Sequence, residues 1–438
     1  MPEPSQLSYV ISAALIVFVI ALYLRAGSKK TKKVKEKIAR AEEYGFREPT
    51  TIHPKIDPAR CIGSGACVRA CPEKDIIGLI GGKGALINAS HCVGHGACAE
   101  ACPVGAIKLV FGTETRGVDI PYVTPDFETN IKGIFIAGEL GGMGLIKNAI
   151  TQGRQAVEYI SCRLGSDRGQ GGIYDAVIVG AGPAGIGASL MAAKKGLKFV
   201  TLDQGDIGGT VFNYPRHKIV MTSPVDLPLY GNVRLRETTK ESLLDLWMSV
   251  IKKTSLEIRT GEKMTGLARE AEGFRVVTSK GEYPARNVVL AIGRRGTPRK
   301  LGVPGEQLPK VTYSLLDPEQ HRDHSLLVVG GGDSAVEAAI ALAKQSGNNV
   351  TLSYRGESFK RIKPMNKTRL DEAISKKSVS VALNSNVLEI RENDVRIETE
   401  GKETVIKNDY VYILIGGELP NEFLHSIGIK IEKKFGTA

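Results

Sequence analysis

The chain has 438 residues, 42% apolar and 24% charged, proportions of a globular protein that exclude a disordered one. At roughly 150 residues per domain, about three folded units are expected. The net charge of +12 is concentrated: eight basic residues and one acid, net +7, fall between Arg25 and Arg40. With no basic stripe interleaved with aromatics elsewhere, nucleic acid is not an expected partner.

Leu7 to Leu24 (LSYVISAALIVFVIALYL) runs eighteen residues without a charge. At 1.5 Å per residue it reaches about 27 Å, enough for a bilayer core. Tyr9 and Tyr23 sit near its ends, where amphipathic rings favour the interface. Only Glu3 precedes it, whereas Arg25, Lys29, Lys30, Lys32, Lys33, Lys35, Lys37 and Arg40 follow. That asymmetry predicts a single-pass membrane protein with its catalytic domains in the cytoplasm. A cleaved signal peptide would want positive charge before the apolar core and a small-residue cleavage site, and neither is found. The lysine run should also attract anionic lipid.

Six of the seven cysteines fall in two similar stretches, Cys61-IGSGA-Cys67-VRA-Cys71-Pro72 and Cys92-VGHGA-Cys98-AEA-Cys102-Pro103. The twelve-residue blocks start 31 positions apart and share eight identities. They resemble the two-cluster bacterial ferredoxin repeat, C-x2-C-x2-C-x3-C-P, whose last cysteine ligates the other cluster. Both depart from it at the second cysteine, which is Ser64 in one and His95 in the other. The resemblance implies one site from Cys61, Cys67 and Cys102 with Ser64, and another from Cys92, Cys98 and Cys71 with His95. Histidine ligation, being neutral, would raise a cluster's potential, as in Rieske centres. Serine forms an alkoxide less readily, so one or two clusters are expected, of the 4Fe-4S or 3Fe-4S type. Disulfides are disfavoured on the cytoplasmic side, and zinc prefers paired short spacings.

Tyr174 to Asp203 reads as strand, glycine turn, helix and strand, with Gly180, Pro183, Ala184 and the glycines Gly182 and Gly185 in the turn. Such glycines let the backbone approach a pyrophosphate at the helix amino terminus, and Asp203, with Gln204 after it, is placed for a ribose hydroxyl. A second copy spans Leu326 to Arg355, with Gly330, Gly332, Asp333, Ser334 and Ala335 in its turn. Where the first copy ends in Asp203 the second has Ser353, followed by Arg355, Lys360, Arg361 and Lys363. A missing acid beside basic side chains suits a 2′-phosphate, so NADPH is expected over NADH.

Two nested units of this kind resemble the thioredoxin-reductase-like flavoproteins, including the bacillithiol disulfide reductase branch. The likeness extends through Gly208-Gly209-Thr210, the strand Val288 to Gly293 (VVLAIG, with Ala291) and Ile415-Gly416-Gly417. It implies FAD at the first fingerprint and the nicotinamide at the second. It also exposes departures: there is no C-x2-C in residues 291–438, no cysteine pair after Gly209-Thr210, and Ala184 stands where the bacillithiol branch has cysteine. Cys162, in a helix-like segment, reads as a packed small hydrophobe.

Such flavoproteins end in a strand like TNIPGIFAAGD and a helix. Here that piece stands ahead of the first fingerprint, from Thr129 (TNIKGIFIAGELGG) to Ser161, with Glu139 in place of the aspartate. Phe111-Gly112-Thr113 and Phe435-Gly436-Thr437 are a weak further trace of a circular permutation. The other reading is a tandem-gene remnant serving a second flavoprotein. The expected division is an anchor (1–27), a basic juxtamembrane segment (28–48), a ferredoxin-like α+β domain (49–110) and a relocated flavin-domain piece (111–165). A linker (166–172) then leads to nested α/β Rossmann-like FAD (173–295) and NADPH (296–415) domains, with a return to the FAD domain (416–438).

The expected function is a membrane-anchored oxidoreductase passing electrons from NADPH through FAD to the clusters and a redox protein or quinone, with homodimer formation left open. Reduction of a disulfide partner, and a redox sensor or scaffold with altered clusters, are the other readings. No side chain stands out as acid, base or nucleophile. His53, His91, His217, His321, His324 and His425 read as solvated or structural.

Overall fold

The computed structural model describes residues 4–43, 49, 52–73, 75–92, 94–114, 117–142, 144–165, 167, 169, 172–216, 218–221, 224–235, 237–294, 296, 298–359 and 362–436. They divide into two compact units, Met1–Val118 with Lys434–Ala438, and Asp119–Lys433.

The first unit opens with α1 (Pro4–Glu43), a single helix running without interruption from the apolar segment into the lysine-rich one. The sequence breaks it nowhere, since lysine, alanine and leucine are good helix formers and proline occurs only at its start. Next come β1 (Ile52–Ile56), α2 (Ala66–Ala70), β2 (Ile77–Ile80), β3 (Lys83–Leu86), α3 (Ala97–Glu100) and β4 (Ile107–Phe111). Strands β1 and β4 pair antiparallel from Ile52–Phe111 to Ile56–Ile107, and β2 and β3 form a hairpin. Their apolar faces enclose a small core of Ile76, Ile77, Ile107, Cys67 and Cys98. Thr31, Val34, Lys37, Ile38 and Ala41 form the covered stripe of α1, at helical spacing. Lys37 pairs with Asp75, and Ala41 is 2% exposed. The second half of α1, within the expected basic juxtamembrane segment, is thus docked on the β2–β3 hairpin.

Chain order continues with β5 (Val118–Pro121), β6 (Ile134–Ile136), α4 (Ile146–Leu164), β7 (Ala176–Val179), α5 (Pro183–Lys194) and β8 (Phe199–Leu202). Four short strands follow, β9 (Ile219–Met221) to β12 (Glu237–Thr239), then α6 (Lys240–Thr254), β13 (Ile258–Arg259), an antiparallel sheet β14 (Met264–Glu270), β15 (Gly273–Thr278) and β16 (Glu282–Ala285), and β17 (Val288–Leu290). The second unit's first parallel sheet has the order β13-β8-β7-β17-β6. Strands β6, β7 and β17 are short, continuous apolar runs buried on both faces, against α4 and α5 on one side and the β14–β16 sheet on the other. Strand β6 pairs in parallel with β17 from Val288–Ile134 to Leu290–Ile136.

The second parallel sheet contains β18 (Val311–Thr312), β19 (Ser325–Val329), β20 (Asn349–Ser353), β21 (Val379–Ala382) and, after the meander β22 (Ser385–Ile390) to β24 (Lys402–Lys407), β25 (Tyr410–Ile413). Its order is β18-β25-β19-β20-β21, with α7 (Asp333–Ala343) and α8 (Pro364–Ser375) packed on it. Between α9 (Asn421–Ser426) and β26 (Ile431–Lys434) the chain meets the segment that leads into β6: Asn130 donates from Nδ2 to the Gly428 carbonyl at 3.0 Å and accepts from the Lys430 N–H at 2.8 Å.

Candidate cofactor sites

The two cysteine repeats adopt matching backbones. Gly65 and Gly96, with φ of 68° and 79°, open α2 and α3 in the left-handed conformation that glycine tolerates best. The turns separate the cysteines into two triads. Cys61, Cys67 and Cys102 line one small cavity together with Ser64, Ile62 and Val104. The Cys61 sulfur accepts from the Gly84 N–H at 3.3 Å, which with the Gly63 N–H holds its thiol below the usual range. The Cys102 sulfur accepts from Ala106 N–H at 3.2 Å. Cys71, Cys92 and Cys98 form the second triad, each within electrostatic reach of the others. Burial, reinforced by Cys92 and Cys71, pushes Cys98 up to about 11. His95 is held low by burial, with Glu73 opposing, and Glu73 also acts on Cys71 and Cys92.

Among the described residues no three His, Cys, Asp or Glu side chains converge closely enough for a single metal ion, and all seven cysteines are free thiols. Two thiol triads, in loops with N–H groups aimed at sulfur, fit clusters rather than one ion.

In the second unit a cleft of about 2090 Å³ runs between the two parallel sheets. Gly180, Gly182, Pro183, Ala184, Asp203, Gln204, Gly209, Thr210, Ala291, Gly293 and Glu139 line its first half. The fingerprint glycines have distinct jobs. A Cβ on Gly180 would stand 2.4 Å from the Ala291 carbonyl oxygen, whereas one on Gly182 would meet only Gly209 Cα at 3.8 Å. Gly180 therefore permits packing, and Gly182 leaves space over the helix amino terminus for a phosphate. Gly185 does not line the cleft; it packs on the Gly180 carbonyl. Asp203 accepts from the Ala181 N–H at 2.5 Å and the Gly205 N–H at 2.8 Å, fixed at the end of β8.

Glu139 sits after β6 in the turn before α4, where the Gly138 N–H donates to Gln152 Oε1 at 2.8 Å. It faces Arg294, whose guanidinium is held low by burial while Glu139 and Asp119 oppose the shift.

Gly330, Gly332, Asp333, Ser334 and Arg355 line the other half. Gly332 leaves open space, but Ala335 is buried against Gly330 and takes no part in the lining. Asp333 accepts from the Lys363 N–H and Asn366 Nδ2, both at 2.7 Å, so it anchors the start of α8. Ser353, fully buried, donates to Ser385 Oγ at 3.0 Å, and exposed Arg355 stands at the cleft's rim. Lys360, Arg361 and His217 lie outside the described residues.

Cys162 differs from expectation. It is exposed, because the buried face of α4 runs through Ala149, Ile150, Gly153, Ala156, Val157 and Ile160, a stripe that position 162 misses. The sequence reading also passed over Lys218. Its ammonium lies 4.8 Å from the Tyr214 ring and 3.2 Å from Glu337 Oε2 of α7, lining the cleft between the two nucleotide-type sites. The aromatic run after Thr210 (VFNYP), which carries Tyr214, is the sequence signal for it.

Two parallel sheets that share one cleft, each with a glycine turn at a helix start, define a two-nucleotide oxidoreductase, here carrying a two-site cysteine module. The chain belongs to the pyridine nucleotide-disulphide oxidoreductase family, which matches residues 177–437, and a 4Fe-4S dicluster domain matches residues 53–103. It is 30% identical over 268 residues to the bacilliredoxin reductase of Bacillus subtilis, covering 60% of this chain and 82% of that protein. It is 32% identical over 269 residues to the ferredoxin–NADP reductase of Ignicoccus hospitalis, covering 59% and 83%. Among solved structures, the bacillithiol disulfide reductase of Staphylococcus aureus superposes with a TM-score of 0.53 at 30% identity, over 59% of this chain and 80% of that one. This is therefore an FAD-dependent NAD(P)H oxidoreductase, thioredoxin-reductase-like in its flavoprotein part, with an iron–sulfur ferredoxin domain. Among the described residues one helix, near the amino terminus, is long and apolar enough to cross a membrane.

Proposed function

We propose that the chain is a membrane-anchored flavo-iron–sulfur oxidoreductase carrying electrons from NADPH, by way of FAD, through the ferredoxin module to an acceptor. The observation that carries this reading is the distribution of thiols. Six of the seven cysteines belong to the two triads, and the seventh, Cys162, is outside the cleft lining, so the flavin half holds no dithiol to reduce a disulfide. Bound FAD accepts two electrons and can release them singly, and clusters carry one at a time.

The residues divide the work. Gly182, Asp203 and Glu139 would hold FAD along the first half of the cleft, and Gly332 and Arg355 the pyrophosphate and 2′-phosphate of NADPH along the second. The two thiol triads would hold the clusters, with Ser64 and His95 as the candidate fourth ligands. We read the segment expected over 111–165 as the relocated end of the flavin domain, its part from Asp119 onward belonging to the second unit. The pairing of β6 with β17 and the bonds from Asn130 to Gly428 and Lys430 support that reading. The lysines after the apolar run support a cytoplasmic catalytic part.

Anaerobically purified full-length protein should contain about one FAD and six to eight irons, and NADPH should bleach flavin and clusters together. Flavin without iron would favour reduction of a partner that brings its own disulfide, the activity named for the Bacillus subtilis relative. Iron that NADPH cannot reduce would favour a sensor or scaffold.

A further inference from the structure

The first unit carries a direction that the proposed function leaves open: which triad faces the membrane. Helix α1 acts as a ruler. Thr31 lies seven residues beyond Leu24, about 10 Å along the axis, and Lys37 a further 9 Å or so. The hairpin contacts this ruler in reverse order. The Gly81 N–H donates to Thr31 Oγ1 at 3.4 Å, Gly78 lies against Val34, and Asp75 pairs with Lys37. The Gly81–Gly82 tip therefore points back toward the apolar run, and the Asp75 end points away from it.

Each triad belongs to one end. A Cβ on Gly63 would touch the Gly82 carbonyl oxygen at 1.9 Å, Lys83 Nζ donates to the Cys61 carbonyl at 2.5 Å, and the Gly84 N–H donates to the Cys61 sulfur. Leu79, beside the tip, lines the cavity of the Cys61 triad. At the other end Asn88 Nδ2 donates to the Asp75 carbonyl at 2.9 Å, the Ile87 N–H donates to the Ile76 carbonyl at 2.8 Å, and the turn that follows carries Cys92, whose N–H donates to the Ala89 carbonyl at 3.1 Å, while Cys71 stands four residues before Asp75.

The rim of the Cys61 cavity carries exposed apolar side chains, Ile62 at 65% and Val104 at 39%. The exposed Lys83 and the α1 lysines Lys29, Lys30, Lys32 and Lys33 add positive charge at the same end. A bilayer core of about 30 Å with headgroups bringing it to 40–45 Å puts a layer of some 5–8 Å outside the apolar run, close to the depth of the hairpin tip. Apolar tips with a basic surround suit anionic headgroups.

We propose that this face, Ile62, Val104 and the Gly81–Lys83 tip, rests on an anionic phospholipid surface, which makes the Cys61–Cys67–Cys102 triad the membrane-side redox site and the Cys71–Cys92–Cys98 triad the inner one. An acceptor served from the outer triad would reside at the membrane. The proposal rests on α1 being the anchor.

The test uses the full-length holoprotein in vesicles of mixed anionic and zwitterionic phospholipid, with and without a headgroup-chelated Ni(II) lipid as relaxing agent. Cluster signals are followed by electron paramagnetic resonance at increasing microwave power. Cys98→Ala isolates the outer triad's signal and Cys67→Ala the inner one's; wild-type protein, with both signals together, serves as the folding-independent control. Ni(II) lipid should raise the half-saturation power of the outer signal several-fold and leave the inner one nearly unchanged. Equal enhancement, or a larger one at the inner triad, overturns the orientation, as a surface kept for a soluble protein partner would produce. Protein that does not float with the vesicles overturns the anchor itself, a separate failure.

Discussion

Gly153 of α4 lies against the backbone of Ala184 in α5, so closely that a Cβ on Gly153 would stand 2.0 Å from the Ala184 carbonyl oxygen. On the facing helix Gly187 is equally constrained, with the Ile150 carbonyl 2.5 Å from where its Cβ would be. Helix α4 stands before the first nucleotide fingerprint in sequence and α5 begins inside it. Two reciprocal glycine contacts are what a helix native to this flavin domain would need. Gly153→Ala should therefore cost about 1–3 kcal/mol through overpacking against backbone, lowering the thermal midpoint and loosening FAD. An unchanged midpoint, with flavin retained, would show that α4 yields freely and that its packing is incidental.

Glu139 joins the relocated segment to the cleft. Its charge, more than that of Asp119, opposes the effect of burial on Arg294, and it lines the half of the cleft assigned to FAD. Replacing Glu139 by Ala removes charge-assisted hydrogen bonds worth roughly 1.5–3 kcal/mol, so the Kd for FAD should rise about ten- to a hundredfold. Iron content should hardly change, because the six cysteines of the two repeats belong to the other unit. Titration of apoprotein with FAD checks this, and normal affinity in the variant would favour the tandem-remnant reading over the permutation.

What the sequence disclosed, and what it withheld, follows from range. The cysteine repeats, the glycine turns and the run that forms β6 are local patterns whose spacing reflects one turn or one strand, so they can be read from a single chain. Even there the split of duties was hidden: Gly185 and Ala335 serve packing and Asp333 holds α8, because only the neighbouring carbonyl, Cβ or amide decides between packing and binding. Lys218 with Glu337 and Arg294 with Glu139 are partners across more than a hundred positions, and no periodicity marks them. Cys162 was misjudged through helix phase: one or two residues of shift along α4 turn a core position into a surface one.

Arg355 stands exposed at the rim of the cleft, beyond the buried Ser353 that occupies the place of an acid. Its guanidinium can pair bidentately with the 2′-phosphate, the group that distinguishes NADPH from NADH. Arg355→Ala should raise KM for NADPH by about tenfold or more while changing that for NADH little, since a charged hydrogen bond is worth roughly 1.5–3 kcal/mol. Steady-state kinetics with a soluble dye as acceptor reads both constants. An equal rise for the two nucleotides would mean that the arginine does not sense the 2′-phosphate.

The docking of α1 on the hairpin separates two truncations that the sequence alone would treat as equivalent. Cutting before residue 27 removes the apolar run and keeps the stripe of Thr31, Val34, Ile38 and Ala41. Cutting before residue 44 removes the stripe as well, stripping the cover from Gly78 and breaking the Lys37–Asp75 pair. That ion pair is exposed and contributes little, so the loss is mostly apolar cover, roughly 2–3 kcal/mol for two half-buried aliphatic side chains and an alanine. In a module of this size, whose core is a handful of side chains, such a loss is a large share of its stability. The shorter cut should give a soluble protein with the full complement of iron per FAD, and NADPH should still bleach it. The longer cut should keep FAD and NADPH reduction of the flavin but lose iron. Iron and flavin analysis of the two proteins side by side decides the matter. Equal iron in both would show that the stripe contributes nothing to the module, and a shorter-cut protein that stayed in the membrane fraction would show that another element holds the chain there.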